Sequence, residues 1–270
     1  MKTAQQKLSN AFSANKHICV GLDPDKSKFP KSLLSSKDSV FQFNKEIIDV
    51  TRDLALGYKL NFAFYEAEGL KGIETLHKTI DYIGSDGFII GDAKRGDIGN
   101  TAEKYADSLF NRFKVDASTL HPYMGSDSVT PFLQFQNKLN FVLVLTSNSS
   151  AIDFEKAILQ NGSFLYQKVL AEVKNWNKFS NCGIVFGATQ YSELESNIKS
   201  FGDLPVLLPG VGAQGGSLED VVRLFSLNRN NNFLINSSRG IIYRSNENDF
   251  AEQARLELLR LNDSVLENKI

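Results

Sequence analysis

The stretch GDAKRGDIGNT sets an acid, a base and a second acid at Asp92, Lys94 and Asp97, directly after the apolar run GFIIG. Residues two apart on a strand share a face, so Asp92 and Lys94 point the same way if that run is a strand. Asp97 follows in the turn. Charges at the end of a buried strand are costly unless paired, and such pairing tunes protonation and places a proton donor. An anonymous run of charges is usually a solvated loop; the buried character of GFIIG argues for a site instead. The pattern recurs in GYKLNFAFYEAEG, where Lys59 and Asn61 fall on one face. Asp23 in GLDPD ends a further apolar run, as a turn residue before Pro24 or as a ligand for sugar hydroxyls.

A different chemistry is suggested by PGVGAQGG, Pro209 to Gly216, which formally matches GxGxxG at Gly210, Gly212 and Gly215. Dinucleotide binding also needs an acid at the end of the next strand, and NFLINSSRG has none. The two glycine-containing turns fit better a phosphate site of backbone N–H groups and a helix N-terminus, with ordinary turns as the alternative. Arg239 can add a bidentate contact there and Gln214 a side-chain amide. His17, His77 and His121 are scattered outside any HExxH or paired-cysteine set, and each reads as structural. No GxSxG elbow occurs.

Bringing these residues together requires strands that end on one side. Eight short β-rich runs recur: HICVGL from His17, YKLNF from Tyr58, GFIIGD from Gly87, DASTL from Asp116, NFVLVL from Asn140, CGIVFG from Cys182, PVLLP from Pro205 and NFLIN from Asn232. Amphipathic segments lie between or after them, among them Leu70 to Ile83, Tyr166 to Trp176, Leu218 to Phe225 and Phe250 to Leu261. Eight strand–helix units in about 250 residues match a (β/α)8 TIM barrel, with an open doubly wound sheet as competitor. No linker or repeat divides residues 1–270, so one domain is expected, and the segment before His17 is expected to be a helix closing the barrel bottom. Two polar stretches, Asp23 to Ser39 and Ser147 to Gly162, exceed the usual βα connection and could serve as lids.

Composition narrows the class further. With 42% hydrophobic and 23% charged residues the chain can bury a sizeable core, and its net charge of −1 provides no basic surface for nucleic acid. Cys19 and Cys182 sit beside apolar runs and read as buried thiols, which suits a reducing cytoplasm. The start MKTAQQKLSNAF lacks an apolar signal core, and no stretch approaches the ~18 apolar residues of a membrane span. A cytoplasmic protein is therefore expected. The NxS/T matches at Asn148, Asn161, Asn236 and Asn262 then read as chance.

At GDAKRGDIGNT the sequence resembles the orotidine 5′-phosphate decarboxylase family, whose signature is DxKxxD after the third strand, and the form is similar to the bacterial type 2 branch. GLDPD, YKLNFAFYEA, LTSN, PGVGAQGG and SSRG fall in the family's order, so the resemblance spans nearly the whole chain. It implies conversion of orotidine monophosphate to UMP and CO2 in pyrimidine biosynthesis, with no cofactor and no metal. Lys94 takes the proton-donor role, in a charged network with Lys59 and Asp92 that Asp97 completes from the other subunit of a homodimer. Asp23, Lys59 and Asn61 are implied to face sugar and substrate, and Thr101 to reach across the dimer. Thr146 and Ser147 are implied to recognise the pyrimidine, with Ser149 as an alternative, and Gln214 and Arg239 to bind phosphate. The stretch from Ser149 to Phe164 is the least familiar. Two other readings stand beside this one: a metal-dependent phosphosugar lyase or decarboxylase of the same superfamily, and a non-catalytic barrel that binds phosphate ligands.

Overall fold

Strands buried on both faces read as continuous apolar runs, the mark of an all-parallel sheet covered by helices. The computed structural model, which describes residues 2–211 and 215–269, turns all eight expected runs into strands. They are β1 (Ile18–Gly21), β2 (Gly57–Asn61), β3 (Ile89–Arg95), β4 (Ala117–Leu120), β5 (Leu139–Leu145), β6 (Cys182–Phe186), β7 (Val206–Pro209) and β8 (Phe233–Ser237). Each pairs in parallel with the next, and β8 pairs with β1 through Ile18↔Ile235 and Cys19↔Asn236. That last pairing closes the barrel and removes the open-sheet alternative.

Helices cover the outside with one apolar stripe each. Gly69–Ile83 buries Leu76, Thr79, Ile80 and Ile83, the spacing of one helical face. The final helix runs Phe250–Asn268, a full turn and more beyond the expected Leu261. Its extension is held by burial of Val265 and by Arg223 Nε, which donates to Asn268 Oδ1 at 2.8 Å.

The N-terminal segment forms the expected helix, Ala4–Ser13, started by a reciprocal Thr3/Gln6 capping box. Ala4, Leu8 and Phe12 repeat every fourth residue and pack against Cys19, Ile90, Ala117, Phe141, Leu207 and Leu234 inside the barrel. Lys7 anchors it, donating to Gly87 O at 2.8 Å and to Asp116 at 2.8 and 2.9 Å. His17 is sandwiched between Phe12 and Phe233, with Nδ1 2.8 Å from Phe233 O. The end of the barrel where the strands begin is thereby plugged, and the opposite end is left for chemistry.

Local departures from the expected pattern occur at that open end. Strand β2 stops at Asn61, which caps the short helix Phe62–Glu66 by accepting from Ala63 N at 3.2 Å. The β3–β4 register shifts between Gly91 and Arg95, and Lys94 has φ +46°. Of the two long connections, the first contains a 3-10 turn at Lys26–Lys28 and a helix at Lys31–Leu34, and the second a 3-10 turn at Ser149–Asp153. Both cysteines are free and buried, and burial pushes each thiol up to about 12.

Candidate active site

Inward-facing residues near the strand ends enclose a cavity of about 300 Å³. Its charged wall comes from β2 and β3. Lys59 Nζ donates to Asp92 Oδ2 at 2.7 Å, and Lys94 Nζ donates to Asp92 Oδ1 at 2.7 Å. Thr119 Oγ1, from β4, adds a third donor to Oδ1 at 2.9 Å. Burial alone would neutralise Asp92, yet the two ammonium groups outweigh it and hold its carboxyl well below the usual carboxylate range. Burial likewise works against charge on Lys59, and Asp92 and Asp23 overcome it, raising Lys59 above its ordinary value. The side chains of Lys59 and Asp92 are 7% and 8% exposed, whereas that of Lys94 is 49% exposed. Lys94 is thus the more accessible of the two lysines that line the cavity.

The β3 irregularity explains that placement. Lys94 N donates to Thr119 Oγ1 at 2.9 Å instead of continuing the strand ladder, and the left-handed φ at Lys94 turns the chain there. Such a conformation is costly for a side chain other than glycine and persists only where its surroundings impose it. Thr119 therefore fixes both the Lys94 backbone and the Asp92 carboxylate. It escapes sequence reading because a single threonine in DASTL carries no charge signal; only its inward register marks it.

Of the residues expected at the site, Asp23, Lys59, Asn61, Asp92, Lys94, Thr146, Ser147 and Arg239 line the cavity. Asp23 Oδ1 accepts from Asn61 N at 3.3 Å, which joins the ends of β1 and β2. Thr146 is clamped by Glu155, whose carboxylate accepts from Thr146 N at 2.7 Å and from its Oγ1 at 2.8 Å. Asn148 Oδ1, 2.6 Å from Thr146 Oγ1, competes with Glu155 for its one proton; the sequence marked Asn148 only as a chance NxS match and did not single out Glu155. Ser149 opens the 3-10 turn and is not part of the lining, whereas Asn148 is.

On the side of β7 and β8 the lining includes Gly210, Val211, Ser238, Arg239 and Gly240. Gly210 takes φ +97°, and Gly216 N closes the turn onto Gly210 O at 3.1 Å. The helix after β7 starts only at Leu218, capped by Ser217 and carrying Glu219 and Asp220 in its first turn. Those acids oppose an anion at that N-terminus. Gln214 lies outside the described residues.

Asp97 and Thr101 do not join this cavity. Asp97 Oδ1 accepts from Ile98 N at 2.8 Å, and Thr101 is exposed on the helix Gly99–Asp107. Among the described residues no group of three His, Cys, Asp or Glu side chains is arranged to hold a metal ion. No described helix is long and apolar enough to cross a membrane.

The model of the Orotidine 5'-phosphate decarboxylase / HUMPS family matches residues 16–254. The chain belongs to that family. Within the orotidine 5′-phosphate decarboxylase / HUMPS family, a Flavobacterium johnsoniae protein named orotidine 5'-phosphate decarboxylase is 47% identical over 268 residues, covering 98% of this chain and 97% of the relative. One of the same name from Bacteroides fragilis is 42% identical over 266 residues, covering 97% of each. The solved structure of Leishmania donovani OMP decarboxylase superposes with a TM-score of 0.78 at 30% identity, covering 97% of this chain and 99% of that one. All of the strands that carry the cavity fall within the stretch that the family model matches.

Proposed function

We propose that this chain decarboxylates orotidine 5′-monophosphate to UMP, with Lys94 as proton donor and no cofactor. The observation that carries the reading is one buried carboxylate, Asp92, clamped between two ammonium groups at the edge of a nucleotide-sized cavity. The bond from the pyrimidine ring to its carboxylate breaks, CO2 departs, and the electron pair stays on the ring carbon. That carbon has no delocalising sink, so fixed positive charge must stabilise it. Lys94 supplies the charge and then a proton, which it regains from solvent. Asp92 positions Lys94, while Lys59 and Thr119 hold Asp92. Asp23 and Asn61 face the ribose, Thr146 and Ser147 the pyrimidine, and Arg239 the phosphate, a role in which Gln214 is expected to join. Phosphate binding, remote from the reacting carbon, contributes to orientation.

Metal-dependent chemistry on a phosphosugar fits less well, because both oxygens of Asp92 already face ammonium groups where a divalent ion would have to bind. The test is ultraviolet absorbance of orotidine monophosphate on mixing with the protein, with and without EDTA. Loss of the substrate signal at the same rate in both samples is expected. Turnover that requires added Mg2+ would move the protein to the phosphosugar branch of the family.

The working unit in this reading is a cytoplasmic single-domain chain paired as a homodimer, with Asp97 and Thr101 serving the partner's site. Support comes from apolar side chains exposed on the βα loops at this end of the barrel. Ile98, Tyr123, Met124, Ile152, Phe154 and Ile158 are exposed on the loops after β3, β4 and β5, with the Tyr123 and Phe154 rings 6.4 Å apart. An apolar rim of this kind is characteristic of an interface.

A further inference from the structure

Beside the plug, where the strands begin, a second cavity of about 540 Å³ lies between the N-terminal segment and the connections that lead into β3, β4 and β5. Its apolar wall is made by Ile80, Ile89, Phe110 and Phe135, with the two phenyl rings tilted against each other at 5.1 Å. Six charged side chains join the lining: Lys2, Lys7, Lys114, Lys138, Asp81 and Asp116. Four ammonium groups face two carboxylates, a local excess of two positive charges on a chain whose net charge is −1. A concave apolar wall with a few charges of one prevailing sign is the usual make-up of a small-molecule site.

Hydrogen bonding separates the spent charges from the available ones. Lys7 and Asp116 are spent on each other: Lys7 Nζ reaches both carboxylate oxygens at 2.8 and 2.9 Å, and Ile89 N adds a bond to Oδ2 at 3.0 Å. Lys138 Nζ donates to Val115 O at 2.7 Å and sits over the Phe110 ring, 5.8 Å from its centre. An ammonium has three donors, so Lys138 keeps two for a ligand. Burial pulls Lys138 below its ordinary value against the opposing effect of Asp116, as befits a half-buried cation without a carboxylate of its own. Lys2 and Lys114 have no hydrogen bond or ion pair among the described residues. We propose that this cavity binds a phosphate monoester with an aromatic body, its ring against Phe110 and Phe135 and its dianionic phosphate among Lys2, Lys114 and Lys138. Two negative charges on the ester match the local excess, and the ring buries apolar surface that a bare anion lacks. Because the cavity lies at the plugged end, its ligand does not compete with one at the strand ends, and the proposal does not depend on how that other cavity is used.

The probe is phenyl phosphate, titrated calorimetrically into wild type, Lys114→Gln, Lys138→Gln, Phe135→Ala and Arg239→Ala, with inorganic phosphate as the bare anion. Wild type should bind phenyl phosphate more tightly than inorganic phosphate. That binding should persist unchanged in Arg239→Ala, whose substitution lies at the opposite end, and its Kd should rise roughly tenfold in each lysine variant, the low end for a hydrogen bond to a charged group. Phe135→Ala should weaken phenyl phosphate roughly three- to tenfold, the size of one aromatic contact, and leave inorganic phosphate unchanged. Thermal melting without ligand checks that each variant is folded; Lys114→Gln alters an exposed side chain without a partner, so it carries the test even where a change in the wall lowers the melting temperature. No binding of phenyl phosphate to wild type, wild-type binding by Lys114→Gln, loss in Arg239→Ala alone, or no preference for the ester over inorganic phosphate would each overturn the proposal.

Discussion

Asp92 accepts from Lys59, Lys94 and Thr119 with two oxygens, and this unequal sharing decides which residue can be altered without losing the fold. Removing Asp92 would strand the buried Lys59 ammonium, a change that typically costs 3–5 kcal/mol. Removing Lys94 leaves Asp92 still paired with Lys59 and Thr119, and takes away a half-exposed side chain. Arg239 is the second residue whose part can be isolated, since it is exposed at the start of Arg239–Ile242 on the cavity rim. For Arg239→Ala, kcat/KM on orotidine monophosphate should fall roughly 10- to 100-fold, the range of a hydrogen bond to a charged group. Turnover of orotidine, which lacks the phosphate, should be unaffected by the change. An equal proportional loss on both substrates would show that Arg239 does not act on phosphate.

At the scale of elements, the strands were legible because eight apolar runs with turn residues between them admit few other readings, and the terminal helix followed from its amphipathic pattern. The charged members Lys59, Asp92 and Lys94 were legible too, since charge inside such a run is conspicuous. Thr119 and Glu155 were not: their importance depends on the register between β3 and β4 and on the path of a long loop, neither of which has a local signature. The plug at the closed end gives a pH prediction. Burial depresses His17 from 6.5 to about 4, so the unfolded chain takes up a proton that the folded chain refuses. Stability is therefore full above about 6.5 and is lost as pH falls toward 4, by up to about 3 kcal/mol. The contribution of Asp92, whose folded value is also depressed, is lost only at lower pH, below the ordinary carboxylate value, so the two windows separate. His17→Phe keeps an aromatic ring between Phe12 and Phe233 without a titrating group. Its melting temperature should fall less than that of wild type between pH 7 and pH 4.5, and an identical fall would place the acid sensitivity elsewhere.

For the whole molecule, a plugged barrel leaves one end for chemistry, and the proposed homodimer would pair there. If Asp97 serves the partner's site, Lys94→Ala and Asp97→Ala homodimers should each be nearly inactive. Co-refolding them in equal amounts makes about half the dimers mixed, and each mixed dimer regains one intact site, so roughly a quarter of wild-type activity should return. Verified mixed dimers without any gain would put Asp97 in its own chain's site or the interface elsewhere. The most direct measurement of the central claim is orotidine monophosphate turnover by Lys94→Ala in EDTA, alongside its affinity for UMP. Near-complete loss of kcat with UMP binding still measurable is expected, because Lys94 acts mainly in the transition state. Retention of most of the wild-type kcat would contradict it.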